Sequence, residues 1–237
     1  MEEETIKTSL KRFIILFIYG SLLSLQIGCI SEYAIIANIL KNYYNISMNE
    51  VNIATVSGNV LNLFLLFPTS YSIKKFGVRK NIISSALLLF LGCVIKCISV
   101  QRHLYFVAVI GQLVTAVSFA FAVPLSLQLP GIWFPAKQIS IAISAINSFM
   151  VLGGCVVAFA ITQTVTAEDI ETIDGQLRRF MIAQAAVAGV ILFCVVLFFN
   201  EKPKYKPSIS EKQAQNERKL ITFWESVKRT LNKNFIL

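Results

Sequence analysis

FMIAQAAVAGVILFCVVLFF, residues 180–199, is a run of twenty residues without a charge. As an α-helix it would be about 30 Å long at ~1.5 Å per residue, which is the thickness of a bilayer's hydrocarbon core. A water-soluble helix of this length would carry Lys or Glu on its wet face, whereas here Gln184 is the one strongly polar side chain. This stretch is read as a transmembrane helix.

Five similar stretches precede it, at about 13–40, 51–73, 81–100, 104–127 and 140–165. Apolar residues make up 55% of the chain and charged residues 15%, against about 25% charged in soluble domains. The fold expected is therefore all-α: a polytopic membrane protein with six transmembrane helices. Residues 1–12 form a polar N-terminus, 13–200 the membrane domain, and 201–237 a basic linker ending where a seventh apolar span would begin. A secretory signal peptide would also place basic residues before an apolar run, but the first run is too long and five more follow.

The excess of positive charge, +9 overall, is distributed as a topology signal rather than as a nucleic-acid surface. With the N-terminus inside, 17 of the 22 Lys and Arg fall on the inner side and five on the outer, counting Lys96 as an outer helix end. That bias places both termini in the cytoplasm, and the membrane expected is the plasma membrane. Asn45-Ile46-Ser47, an N-glycosylation pattern, then lies outside. Ser47 and Glu50 have capping-box spacing at the start of the second span. Pro130, Gly131 and Pro135 are expected to break the chain after the fourth. In the linker, Leu220, Phe223, Trp224, Val227 and Leu231 recur at helical spacing among basic residues, as in an interfacial amphipathic helix or a short soluble helix packed against the domain.

Nothing in the inventory supports covalent catalysis. His103 is the only histidine, and the five cysteines all lie within apolar runs. Cys93 and Cys97 are one turn apart but read as small apolar residues. No metal, cofactor or catalytic residue is expected, and the chain is not read as an enzyme.

Polar residues in hydrocarbon are costly, so their spacing shows which faces avoid lipid. Ser21, Ser24, Gly28, Ser31 and Glu32 share one side of the first span; Asn52, Thr55, Asn59 and Asn62 share one side of the second. The fourth has Gln112, Thr115 and Ser118, and the fifth Ser140, Ser144, Asn147, Gly154, Ala158 and Thr162. The third and sixth carry little. This pattern predicts a three-plus-three repeat in which spans one, two, four and five surround a polar pathway and spans three and six lie peripherally. Ordinary polar and small-residue glue between helices is the competing explanation for each stripe.

Two loops carry a resemblance. Ser70, Lys74, Lys75, Phe76, Gly77, Val78, Arg79, Lys80 resembles the major facilitator superfamily signature between helices two and three, with Ser70 replacing its first Gly and Lys74 its acidic residue. Trp133-Phe134-Pro135-Ala136-Lys137 resembles the segment often found between helices four and five. An ordered set of shorter matches is similar to the feline leukaemia virus subgroup C receptor family. It comprises 35–38, 66–68, Lys96-Cys97, 99–101, His103-Leu104, Gly111-Gln112, Trp133-Phe134 and 201–203.

That resemblance implies the N-terminal half of a twelve-helix carrier of choline or ethanolamine, with haem export also proposed for the family. It implies a partner as well, either a missing C-terminal six-helix half or a second copy. Aligned from Asn38, the family's cation-stacking Trp becomes Ile30, and Glu32 stands where the family has Gln. Aligned from Gln112, a substrate-contacting Gln becomes Phe119.

The candidate substrate contacts are Glu32, Ser31, Asn59, Gln112, Phe119 and Asn147. Glu32 has two readings: a carboxylate that attracts a cationic solute, or an exposed charge near the outer end of its helix. The function expected is secondary-active transport of a small organic solute by alternating access. The alternatives are a non-transporting membrane receptor or partner subunit, and a truncated, inactive half-transporter.

Overall fold

The computed structural model describes residues 11–166 and 170–199, the side chains of Ile170 and Glu171 excepted, and these are almost wholly helical. The linker and its expected helix, the first ten residues and residues 167–169 lie outside the described residues.

Helix α1 (Lys11–Ile35) already includes Lys11 and Arg12, so the expected boundary at residue 12 falls inside a helix. The chain breaks at Ile36 and continues as the short α2 (Ala37–Tyr44), which Asn45 ends in the left-handed region at φ 53°. Asn is among the few non-Gly residues that adopt this conformation at low cost.

Helix α3 (Met48–Phe76) opens with the expected capping box. The Glu50 N–H donates to Ser47 Oγ at 3.3 Å, and Ser47 N–H donates to Glu50 Oε2 at 2.7 Å. Gly77 alone separates α3 from α4 (Val78–Ile98), at φ 85°. This one-residue reversal explains the Gly of the loop motif, because a Cβ is disfavoured there. Asn81 fastens the turn, donating to Gly77 O at 2.7 Å and accepting from Ser72 Oγ at 2.8 Å.

The fourth crossing is bent: α5 (Tyr105–Ala122) gives way at Val123-Pro124 to α6 (Leu125–Trp133). The break therefore comes earlier than expected, and Pro130 sits within α6. Pro124 has no N–H and its ring clashes with the preceding turn. Ser126 N–H bonds Val123 O, so the Ala122 carbonyl instead accepts from the Tyr19 hydroxyl at 2.7 Å. A 3-10 turn (Ala136–Gln138) leads into α7 (Ile139–Thr164), and α8 (Ile170–Phe198) begins ten residues before the charge-free run.

Six helical segments are long and apolar enough to cross a membrane. The short α2 is not among them, so six crossings would put residues 11 and 199 on the same side. Helix α1 is central, packed mainly on α7 and also on α5, α8 and α3; α4 packs on α5 and α8. Glycines permit the closest approaches. A Cβ on Gly92 of α4 would stand 3.1 Å from Gly111 O of α5, and one on Gly111 would stand 3.1 Å from Gly92 O. Small residues at such crossings let backbones touch, which is how helices associate where lipid removes the hydrophobic drive.

The third and sixth spans carry more interior polar contacts than their sparse polar residues predict. In this bundle α3 and α7 are the outermost, with 17% and 11% of their apolar windows buried, against 61% for α1 and 44% for α4. The third and sixth spans, α4 and α8, pack against each other and against the interior, and they contribute polar side chains to it.

Candidate functional site

Two polar layers cross the interior. In the first, Lys96 Nζ of α4 lies 2.7 Å from Glu32 Oε1 of α1, and both side chains are fully buried. Lys96 also donates to Cys29 O at 2.9 Å and stands 5.0 Å from the centre of the Tyr33 ring. The other Glu32 oxygen accepts from Gln184 Nε2 of α8 at 2.7 Å. Each carboxylate oxygen thus has a donor, and the ammonium has an anion, a carbonyl and an aromatic face. That is the satisfaction a buried pair needs if desolvation is not to outweigh attraction.

The second layer lies six residues earlier in α1, at Gln26, somewhat under two turns from Glu32. Gln26 Nε2 donates to Ser85 Oγ of α4 at 2.8 Å and to Ser118 Oγ of α5 at 2.5 Å. Ser85 Oγ donates to Ser118 O, and Ser118 Oγ donates to Ser85 O, at 2.8 and 2.7 Å. Each hydroxyl donates once and accepts once, and together they join α1, α4 and α5.

Tyrosines cap the same end of the bundle as the ion pair. Tyr43 of α2 donates to Asp174 Oδ1 of α8 at 2.6 Å, and Tyr44 donates to Ser99 O at 3.1 Å. Burial, reinforced by the Asp174 carboxylate, pushes the Tyr43 hydroxyl above its ordinary pKa. Burial raises Tyr44 to about 12. Both phenols therefore stay protonated as donors at neutral pH.

The residues singled out from sequence fall in two places. Glu32 is buried, which overturns its reading as an exposed helix-end charge. Lys96 does lie in the last turn of α4, but its side chain is buried rather than exposed. Gln112 is buried and donates to Ile30 O at 2.9 Å, tying α5 to α1. Ser31 bonds back to Ile27 O, and Phe119 packs partly buried against the apolar core.

Asn59 and Asn147, by contrast, are exposed on α3 and α7. Much of the polar stripe of α1 is taken up by contacts with neighbouring helices, although Ser21 and Ser24 also border a cavity beside α7. Ser24, for example, donates to Gly20 O and to Phe149 O of α7.

Sequence reading missed Lys96, Gln184, Gln26 and Ser85 as interior groups. A signal was present, since Glu32 and Lys96 are opposite charges near the same end of separate apolar runs, and charges within a membrane domain tend to pair. Cys93 is buried with its Sγ 3.9 Å from Cys29 Sγ, while Cys97 is half-buried. Among the described residues no group of three or more His, Cys, Asp or Glu is placed to hold a metal.

Known proteins resemble this chain in sequence and in fold. The model of the Major Facilitator Superfamily matches residues 13–234. The choline/ethanolamine transporter FLVCR1 of Felis catus is 25% identical over 214 residues, covering 88% of this chain and 38% of its own length. The choline/ethanolamine transporter FLVCR2 of Homo sapiens is 26% identical over 205 residues, 86% of this chain and 39% of its own length. An uncharacterized MFS-type transporter of Caenorhabditis elegans, C09D4.1, is 25% identical over 230 residues, 96% of this chain and 39% of its own. Among solved structures, a D-xylose-proton symporter superposes with a TM-score of 0.64 at 15% identity, covering 88% of this chain and 52% of the symporter. The chain thus spans about two fifths of the length of the curated relatives it matches. Six apolar helices and these relatives make it an integral membrane protein.

Proposed function

Because this chain belongs to the Major Facilitator Superfamily, we propose that it acts as the N-terminal six-helix half of a secondary-active carrier in the plasma membrane, with both ends cytoplasmic. The carried solute is a small organic cation of the choline or ethanolamine class, moved by alternating access against a second six-helix half. The observation that carries this reading is the open face of the bundle. α3 and α7 are its least buried helices, and they expose Asn59 and Asn147 among apolar residues such as Phe64, Phe67, Val151 and Phe159. Asparagines left facing lipid would be costly, so this face fits a partner half with a polar cavity between. The relatives' printed substrates supply the solute class.

Glu32 enters this reading through the pair it makes. A cation can reach its carboxylate only if Lys96 or Gln184 moves away, so direct contact belongs to a different conformational state. Asn59 and Asn147 are the candidate contacts exposed on the open face in the present one.

The test is saturable uptake of radiolabelled choline and ethanolamine by cells expressing the full reading frame that contains this chain, with xylose as the neutral comparison. Uptake of either cation, competed by the other and not by xylose, is expected. Uptake of neither, with the protein at the cell surface, would leave the non-transporting reading standing.

A further inference from the structure

Helices α7 and α8 scarcely touch each other, and between them, over the flank of α1, runs a cavity of about 870 Å³. Its origin is an asymmetry between the two three-helix repeats. In such a repeat, the sixth helix on the first corresponds to the third on the fourth. The third and fourth, α4 and α5, close on each other through Gly92 and Gly111. The sixth leans instead on α4, where Gly189 meets the Phe90 ring, and stands off from α1. The gap that results is the groove.

The groove is graded in chemistry. Along most of its length the walls are apolar, with Val156 and Ala160 on α7 and Ala183 and Val187 on α8. One end carries Gln176 and Arg179. Arg178, next in sequence, is paired with Asp174 at 3.6 Å, whereas among the described residues Arg179 has no carboxylate within ion-pair distance. From Gln176 to Ile191 the groove extends about 22 Å at ~1.5 Å per residue. That is longer than one leaflet, half of a ~30 Å hydrocarbon core. Its wall on α7 lies across the helix from Thr162 and well away from Asn147, so a second half docked on the asparagine face would leave it open to the bilayer.

We propose that this groove is a binding site for a glycerophospholipid, with one acyl chain laid between α7 and α8 and the phosphate held by Arg179. The walls, apolar apart from Ser21, Ser24 and Gln184 along the α1 and α8 flanks, fit an acyl chain. The guanidinium at one end matches a phosphate, for which its planar fork is well suited. Gln184, which holds the Glu32 carboxylate, also lines this groove, so the lipid would lie against the residue that reaches the buried ion pair.

The test uses the full-length protein, purified and delipidated, with native mass spectrometry after exposure to phosphatidylglycerol or to diacylglycerol of the same chains. Retention of one phosphatidylglycerol, at least tenfold above diacylglycerol, is expected. Arg179→Gln should remove that preference, and Ala183→Phe, which fills the groove, should remove retention altogether. Val190→Phe, on an exposed part of α8 outside the groove, should do neither, and a thermal melt of each variant establishes folding. Equal retention of the two lipids would overturn the phosphate contact. Undiminished retention in a folded Ala183→Phe protein would overturn the site. Loss of a dimer rather than of lipid in that variant would show that a second copy occupies the groove, and would overturn it equally.

Discussion

Lys96 Nζ lies 2.7 Å from Glu32 Oε1 across 64 residues of sequence, and neither side chain is exposed. The contact joins the first and third crossings, and Gln184 extends it to the sixth. Removing one member leaves the other as an unpaired charge in a low-dielectric interior. Lys96→Met is expected to cost about 3–5 kcal/mol, and Glu32→Gln a similar amount. The double variant should be less destabilised than the sum of the two, because neither charge is then left behind. A double-mutant cycle on apparent melting temperature measures this, and additive losses would show that the pair is not coupled.

The α4–α5 crossing should be intolerant of side chains. Gly111→Leu would drive atoms into the Lys96 side chain and the Gly92 carbonyl, and loss of monodisperse folded protein is expected. Gly175→Ala meets nothing within 4 Å on α8 and should be neutral or stabilising by up to about 1 kcal/mol. Size-exclusion profiles of the two variants make the comparison.

At the α5–α6 bend, Tyr19→Phe removes the donor to the Ala122 carbonyl. An unsatisfied buried acceptor costs about 1–3 kcal/mol. A fall in thermal stability of that order is expected in a thermal melt, and an unchanged melting temperature would show that the Ala122 carbonyl finds another donor.

If the asparagine face lines the solute pathway, Asn59→Leu and Asn147→Leu should each weaken apparent affinity for a transported cation about tenfold, equivalent to ~1.4 kcal/mol. Surface expression should be unchanged, since both residues are exposed in the bundle. Unaltered KM in both variants would remove these residues from the pathway.

For topology, cysteines introduced at Asn45 and at Arg79 are expected on opposite sides, the first reached by an impermeant maleimide from outside and the second only after permeabilisation. The native cysteines all lie within crossings and should give a low background. Labelling of both positions from one side would refute the arrangement.

Six crossings were legible in the chain because length and hydropathy are properties of local sequence, and hydrocarbon admits few alternatives to a helix. The Ser47–Glu50 cap was legible for the same reason, since it is a contact within a few residues, whereas the expected loop at 74–80 shrinks to the single residue Gly77. The superfamily followed from two loop motifs and an ordered set of short matches. The destination of each polar face did not follow. Periodicity states that Ser24 and Glu32 lie on one side of α1, but not whether that side meets a pathway or a neighbouring helix. Tertiary structure decided that: Ser24 faces α7, Glu32 faces Lys96, and the apparently bland third and sixth spans provide the partners. A charge inside a membrane domain must be neutralised by something, and sequence specifies the requirement. Which of five other helices meets it depends on packing distances between segments far apart in the chain, and here the backbone contact of Gly92 with Gly111 brings Lys96 to its place.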